Sequence, residues 1–245
     1  MSNKNIFLLS NDDGYKSKGI QQLRNFLLIY GEVILVAPKD NKSACSSSLS
    51  VNKKIKIREI NDREYVVHGT SADCVNVATR GFLSKQPDYV VSGINFGSNM
   101  GDDVVYSGTI GAAIEGRFCR NLSIAISIAK KEPRYFDDIL DKLDLFFPDL
   151  LKTKVSSDII NVNIPDIPLS KIKGIKYTRL GKRKISKRTD IIKNNNIVTA
   201  EIGDVGSPQS YDKDTDFNAI KSGYISITPI TIDMTDYKTL IKFKK

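Results

Sequence analysis

The sequence has few of the residues on which several common kinds of site depend. Its 245 residues include one histidine, His68, and no tryptophan. One histidine excludes a two-histidine metal site and a phosphohistidine pair, and it leaves His68 as the only base for a Ser-His-Asp triad. We interpret His68, which ends a predicted strand, as structural. The three cysteines are odd in number and lack a CxxC spacing, which is typical of free thiols in a reducing cytoplasm.

Long apolar runs and common nucleotide-binding motifs are also missing. No apolar run reaches the roughly 18 residues of a membrane span, and residues 1–7 lack the pattern of a signal peptide. The sequence has neither GxxxxGK nor GxGxxG, so a phosphate loop of the NTPase kind and a dinucleotide fingerprint are both excluded. We therefore expect a cytoplasmic protein without a membrane partner.

Positive charge is in excess, with a net charge of +9. It is concentrated between residues 171 and 193, where ten Lys and Arg face Asp190 alone. Two interpretations of this charge are open: it forms a lysine-rich surface that keeps the protein soluble, or it attracts anionic partners. Only Tyr177 interleaves the cations, whereas a nucleic-acid groove usually adds stacking aromatic residues. The pattern therefore favours phosphorylated small molecules over nucleic acid.

Apolar periodicity predicts alternating strands and helices. Such alternation is typical of a doubly wound α/β fold, with a mostly parallel sheet between two helical layers. We expect a hairpin at 55–60 and 64–68, and Gly31 as the C-cap of the first helix. The predicted strands are 5–10, 32–37, 88–92, 122–129, 158–164 and 223–232, and the predicted helices are 19–30, 71–83, 110–118 and 135–152.

The pattern changes after Lys171. Alternation without helical period, with a turn at 194–196, predicts an extended β-rich arm over 171–212. The remaining residues, about 4–170 and 213–245, are predicted to form the core of a single domain. Strands with little core of their own need a partner's surface, so we expect the arm to make an oligomer.

Polar residues follow three of the predicted strands. Asp12 and Asp13 follow the first strand, Ser43 lies in the loop after the second, and Asn95 follows strand 88–92. Ligands of open parallel sheets bind at this edge. Carboxylate, hydroxyl and carboxamide oxygens suit Mg²⁺ or Mn²⁺, could accept Ca²⁺, and suit Zn²⁺ poorly. The plainer interpretation of Asp12 and Asp13 is an ordinary strand-to-helix turn.

The glycine-rich segment 93–116 carries the densest signal. Its glycines allow backbone N–H groups to approach an anion closely. Ser107, Gly108 and Thr109 stand just before a predicted helix, whose N-terminus favours phosphate. The alternative is that Ser107 or Thr109 only caps that helix.

Cys74 and Arg80 have the C-x₅-R spacing of cysteine phosphatases. In those enzymes the intervening residues form a loop whose N–H groups bind phosphate. Here residues 75–79 are predicted to be helical, so their N–H groups are already bonded. We therefore interpret Cys74 as a buried thiol.

Together these segments resemble the SurE family of survival-protein nucleotidases. The matching stretches are LLSNDDG (8–14), AP…S (37–43), GTSADCV (69–75), VSGINFGSNMGDDVVYSGTIGAAIEG (91–116) and YISITPI (224–230). The resemblance implies a Rossmann-like α/β core and hydrolysis of nucleoside 5′- and 3′-monophosphates that depends on a divalent metal. It also implies dimers or tetramers with an exchanged C-terminal arm.

Matched residue by residue, the family's metal ligands fall on Asp12, Asp13, Ser43 and Asn95. The resemblance implies one Mg²⁺ or Mn²⁺ per subunit, with Asp12 and Asp13 catalytic. The chain departs from the family's pattern at Lys42 and Ala44, where arginine and glycine are usual. These changes bear on phosphate affinity and substrate preference. Ser71 replaces a frequent proline, without expected consequence.

We therefore expect a metal-dependent 5′-nucleotidase. Phosphate would contact Ser107, Gly108 and Thr109, with Asn99 as a further contact. The nucleophile is either a metal-bound water or an aspartate. The alternative is a non-enzymatic nucleotide- or RNA-binding protein that uses the same anion site, but two carboxylates beside a phosphate require an intervening cation.

Overall fold

The computed structural model describes residues 4–154 and 157–244. Helices and strands alternate through most of the chain. In order, they are β1 (Asn5–Ser10), α1 (Lys18–Leu27), β2 (Gly31–Pro38), β3 (Ile57–Asn61), β4 (Glu64–Val67), α2 (Ser71–Val77), β5 (Tyr89–Phe96), α3 (Gly108–Glu115), β6 (Leu122–Ile128), α4 (Ile139–Asp144), α5 (Phe147–Lys152), β7 (Ile159–Ile164), β8 (Ile175–Tyr177), β9 (Asp190–Asn194), β10 (Ile197–Glu201), α6 (Asp216–Lys221), β11 (Ile225–Ile230) and α7 (Tyr237–Phe243).

Nine strands form one sheet in the order β3-β4-β2-β1-β5-β6-β7-β11-β8. The six strands from β4 to β7 in this order are parallel. β3 is antiparallel to β4, and β11 is antiparallel to β7. The predicted mostly parallel sheet and the predicted hairpin are thus confirmed. No helix in the described ranges is long and apolar enough to cross a bilayer.

The core lies on both faces of this sheet. Alternate residues of β1 point to opposite faces, so Phe7 and Leu9 belong to one apolar cluster and Leu8 to another. Helices α1, α4 and α5 cover the first cluster, while α2 and α3 cover the second. This is the predicted three-layer α/β arrangement.

The end of the first helix differs from the sequence prediction. The C-cap of α1 is Leu28, and the predicted cap, Gly31, instead begins β2. A Cβ atom at Gly31 would lie 2.2 Å from the backbone oxygen of Asn5. The glycine therefore permits the close approach of two strands and does not end the helix.

The predicted helix 135–152 is two helices, α4 and α5. Pro148 stands at the start of α5, and in a continuous helix its ring would clash with the carbonyl four residues earlier. Other predicted boundaries of strands and helices also differ from the structure. β5 continues beyond residue 92 to Phe96, and α3 begins at Gly108 before the expected residue 110.

The segment 171–212, assigned to an arm from its sequence, contributes to two sheets. β8 pairs with β11 at the edge of the main sheet. β9 and β10 form a separate antiparallel ribbon, joined by the turn at 195–196. The division of the chain into core and arm at these boundaries stays a prediction.

A buried carboxylate ties this segment to the glycine-rich region. Asp216, fully buried, accepts backbone N–H groups from Gly101 at 2.7 Å, Gly181 at 2.9 Å and Phe217 at 2.8 Å. Burial raises the pKa of Asp216, and the three hydrogen bonds lower it. The carboxylate therefore joins segments that are distant in the chain.

Asp216→Ala is expected to destabilise the fold by at least about 3 kcal/mol, because three buried N–H groups lose their acceptor. The measurement is the free energy of unfolding in urea. Asp212→Ala is the matched control: it removes an exposed ion pair with Arg179, which is worth about 0–1 kcal/mol. Equal effects of the two substitutions would contradict the proposed role of Asp216.

Candidate functional site

The expected site lies where the chain changes direction across the sheet. From β1 it passes to β2 on one side, and it later returns to β5 on the other. Such a switch point leaves a crevice at the carboxyl ends of the strands. Asp12 and Asp13 follow β1 here, and Asn95 occupies the end of β5.

Asp12 is held against the N-terminus of α3. Its side chain is nearly buried, at 4% exposure, and its Oδ1 accepts a hydrogen bond of 2.6 Å from Thr109 Oγ1. Gly108 lies alongside: a Cβ atom there would be 2.8 Å from both Cβ and Oδ2 of Asp12. The first turn of α3 thus fits closely around this carboxylate, and the absence of a side chain at Gly108 makes the fit possible.

Both carboxylates lie in surroundings that disfavour their charge. The pKa of Asp12 is raised from 3.8 to about 6: burial is the largest cause, the Thr109 hydrogen bond opposes it, and the charge of Asp13 adds to it. Burial also raises the pKa of Asp13, which a hydrogen bond from the Phe96 backbone lowers. In the described ranges, no Lys or Arg forms an ion pair with either carboxylate. A bound cation would reverse the unfavourable effect of burial.

The loop after β2 is tied to the same place. The backbone N–H of Lys42 donates to the Asp12 carbonyl at 2.7 Å. Asn41 Oδ1 accepts both the backbone N–H of Ser43, at 2.8 Å, and its hydroxyl, at 2.6 Å. Because the Ser43 hydroxyl donates its proton to Asn41, its oxygen remains available as a ligand. Ala44 adopts φ +59°, a left-handed conformation that favours glycine.

Asn95 has one amide atom committed within its own loop. Its Nδ2 donates to the Gly97 carbonyl at 2.7 Å. This bond leaves Oδ1 as the free atom of the amide, and an oxygen is what a hard cation requires. The pairing of β5 with β6 shifts register between Ser92 and Asn95, so the strand is irregular just where it reaches the site.

The residues expected to contact phosphate differ in whether they keep a free hydrogen-bond donor. Ser107 is the N-cap of α3, with Oγ accepting the Ile110 N–H at 3.1 Å, and its hydroxyl proton stays free to donate. The Thr109 hydroxyl lies on Asp12 and does not face an open site. Asn99 is buried, and it uses one amide N–H on Ser127 at 2.8 Å. Its second amide N–H remains as a donor.

The cysteine-phosphatase interpretation fails on geometry. Cys74 is fully buried in α2, and burial raises the pKa of its thiol well above the usual value. Residues 75–79 lie in α2 and in the π-helical turn Ala78–Phe82, as predicted. Their N–H groups therefore form no cradle for an anion.

The structure gives a supporting role to three polar residues for which the sequence predicts no such contact. Asn11 donates through Nδ2 to the Gly14 carbonyl at 3.0 Å and to Ser17 Oγ at 2.8 Å, which fixes the turn that carries Asp12 and Asp13. Asn41 orients Ser43, as described above. The third is Ser71, whose buried hydroxyl donates to the Gly108 carbonyl at 2.7 Å. An Asn-x-x-Gly turn before a helix cap is a local signal that would have found Asn11.

A metal could be held here only by a mixed set of ligands. Among the residues that the structure describes, no three His, Cys, Asp or Glu side chains cluster closely enough to bind one. The two carboxylates would need neutral oxygens to complete a coordination shell. Ser43 Oγ and Asn95 Oδ1 are neutral oxygens that the loops leave available. Oxygens of this kind fit Mg²⁺ or Mn²⁺.

The fold and the site define a class of protein: a doubly wound α/β protein with an acidic pair against a helix N-terminus at the switch point of its sheet. The model of the family "Survival protein SurE" matches residues 7–187. The chain therefore belongs to the SurE family.

Individual relatives cover nearly the whole chain. A protein named 5′-nucleotidase SurE from Mannheimia succiniciproducens is 44% identical over 240 residues, 95% of each chain. One of the same name from Haemophilus influenzae is 43% identical over 245 residues, covering 97% of this chain and 95% of that protein. The crystal structure of the SurE protein from Aquifex aeolicus matches with a TM-score of 0.83 and 38% identity, over 98% of both chains.

Gly108→Ala is expected to abolish most phosphate release from an aryl phosphate, because the added methyl group would displace the Asp12 carboxylate. Gly81→Ala is the matched control, since a Cβ atom at Gly81 meets nothing within 4 Å. Thermal unfolding should show both variants folded. Full activity in Gly108→Ala would show that this close packing does not matter for the site.

Proposed function

We propose that this chain is a metal-dependent phosphomonoesterase that hydrolyses nucleoside 5′-monophosphates, and 3′-monophosphates as well, to nucleoside and phosphate. Relatives that are 43–44% identical over nearly the whole chain are named 5′-nucleotidases. Their names and the chemistry of the site support the same conclusion by separate routes.

One observation carries the proposal. The hydrogen bond from Thr109 to Asp12 brings an acidic pair against the first turn of α3. A helix N-terminus attracts anions, whereas two carboxylates repel them. The two features serve one ligand only when a cation lies between the carboxylates and the anion. A phosphate ester bound through a divalent cation satisfies both.

Asp12, Asp13, Ser43 Oγ and Asn95 Oδ1 would hold one Mg²⁺ or Mn²⁺. When bound, the cation neutralises negative charge on the phosphoryl oxygens in the transition state. Two carboxylates without a cationic partner among the described residues fit such an ion.

The remaining residues of the site orient the substrate. The Ser107 hydroxyl and the Gly108 backbone N–H would donate to phosphate oxygens, and the free amide N–H of Asn99 is a further donor. Thr109 was expected among these contacts. Its hydroxyl, which donates to Asp12 Oδ1, supports a positioning role for it instead.

The alternative, a non-enzymatic nucleotide- or RNA-binding protein, finds no support in the relatives, which are named as enzymes. The acidic pair also argues against it. A site built only to bind an anion gains nothing from two adjacent carboxylates.

Asp12→Asn is expected to lower phosphate release from a nucleoside monophosphate by about 10²–10³-fold, because a charged metal ligand becomes neutral. A chelator should abolish the activity of the wild-type protein, and Mg²⁺ or Mn²⁺ should restore it. Rates are measured with one substrate, before and after metal addition.

Cys74→Ser is the control for this experiment. A buried helical thiol contributes only packing, so the serine variant should stay within a few-fold of the wild-type rate. Activity that resists the chelator and is lost in Cys74→Ser would overturn the metal mechanism.

We also propose that the chain forms a homodimer or homotetramer through the β9–β10 ribbon. Ile192 and Ile197 lie on one face of the ribbon and are more than half exposed. An isolated two-stranded hairpin is marginally stable in water, so a partner's surface that buries this face would stabilise it. The three cysteines are free thiols, which supports a reducing location such as the cytoplasm.

Substitution of both Ile192 and Ile197 by lysine is expected to convert the oligomer into a 27.3 kDa monomer, because the charges oppose burial of the ribbon. Light scattering gives the mass. Ile29→Lys, at an exposed position outside the arm, should leave the mass unchanged. A wild-type monomer at micromolar concentration would count against the proposal.

A further inference from the structure

A cavity of about 560 Å³ lies between the N-terminus of α1 and the segment that follows β6. Its volume is within the range of small-molecule sites, roughly 300–1,000 Å³. Two phenylalanines, Phe96 and Phe136, contribute the aromatic part of its lining. Lys16, Lys18 and Arg134 contribute positive charge.

The cavity lies beside the proposed metal site at Phe96, which lines it. Phe96 follows the proposed metal ligand Asn95, and its backbone lowers the pKa of the Asp13 carboxyl group. Lys16 is three residues beyond Asp13 in the turn that leads into α1. A substrate whose phosphate lies at the switch point can therefore extend its other end into this cavity.

The two aromatic rings suit a flat ligand. Phe96 and Phe136 meet edge to face, with centroids 4.8 Å apart and planes at 74°. Both pack against the core on one side and remain partly exposed. The rings are thus held in fixed orientations while part of their surface stays open to a ligand. Nucleobases stack on such surfaces, and the interaction tolerates any base.

The polar lining fits the rest of a nucleotide. The Gln22 amide offers both a donor and an acceptor to a base edge, and the Asp137 carboxylate offers acceptors to an exocyclic amino group. Within residues 4–154 and 157–244, Lys16, Lys18 and Arg134 form no ion pair. Their charges remain available to attract an anionic substrate toward the opening.

We infer that this cavity binds the nucleobase of the substrate, with Phe136 as its stacking surface. The inference rests on the proposed nucleotidase function and identifies the part of the site that distinguishes a nucleotide from other phosphate esters. Phe136 is none of the proposed metal ligands or phosphate contacts, so its contribution to binding can be separated from the chemistry.

The test compares two substrates that differ by the base alone, adenosine 5′-monophosphate and ribose 5-phosphate. Phe136→Leu keeps an apolar side chain in place but removes the aromatic face. It should lower kcat/KM for the nucleotide about tenfold, mainly through KM, and change kcat/KM for ribose 5-phosphate less than twofold. Phe136→Tyr should restore the wild-type value.

Tyr135→Ala is the matched control, because Tyr135 is the neighbouring aromatic residue but does not line the cavity. It should leave both substrates unaffected. An equal loss for both substrates in Phe136→Leu would make Phe136 merely structural and overturn the inference. So would an unchanged preference for the nucleotide.

Calorimetric titration with adenosine, which has no phosphate, separates this inference from the proposed function. Wild-type binding that weakens about tenfold in Phe136→Leu supports the base site even when no phosphate is released from any ester. Phosphate release from nucleotides, combined with equal adenosine affinity in both proteins, rejects the base site and leaves the nucleotidase function intact.

Discussion

The hydrogen bond between Thr109 and Asp12 is the contact on which the arrangement of the site depends. It joins the loop after β1 to the first turn of α3 across 97 positions of sequence. Asp12 would otherwise be a buried charge without a partner, which is costly. The close approach also requires glycine at 108. The acidic pair and the helix N-terminus therefore form one rigid unit.

Around that unit, each ligand-bearing loop has its own internal support. Asn11 fixes the turn after β1, and Asn41 orients Ser43 in the loop after β2. The Asn95 amide bonds within the loop that ends β5. Side chains held in this way lose little further freedom when a ligand binds, which is the basis of preorganised catalysis.

The sequence predicts the strands of the sheet well because buried parallel strands are short apolar runs that end at turn residues. It also collects Asp12, Asp13 and Asn95 at one edge, since the carboxyl ends of parallel strands share that edge. The sequence predicts less well the features that depend on contacts between residues distant in the chain. Gly31 looks like a helix cap until the approach of Asn5 is known.

The same limit applies to side-chain roles. Thr109 stands where a phosphate contact is expected, and only the folded chain reveals that its hydroxyl reaches Asp12. Local pattern can place a residue in a site, but it does not assign the direction of a hydrogen bond. The prediction of one helix over 135–152 was wrong for a different reason, because the residue at the break, Pro148, acts locally and needs no distant partner.

The contacts of Arg183 limit where the β9–β10 ribbon can be replaced. Its guanidinium pairs with Asp103 and donates to the Gly206 carbonyl at 2.8 Å, and its backbone N–H donates to Asp102 at 2.8 Å. These contacts connect the residues before the β9–β10 ribbon to the glycine-rich segment 93–116. The ribbon can be replaced by another segment without loss of these contacts only when both junctions lie between Arg183 and Gly206. An exchange made outside them would also remove the contacts between Arg183 and the glycine-rich segment.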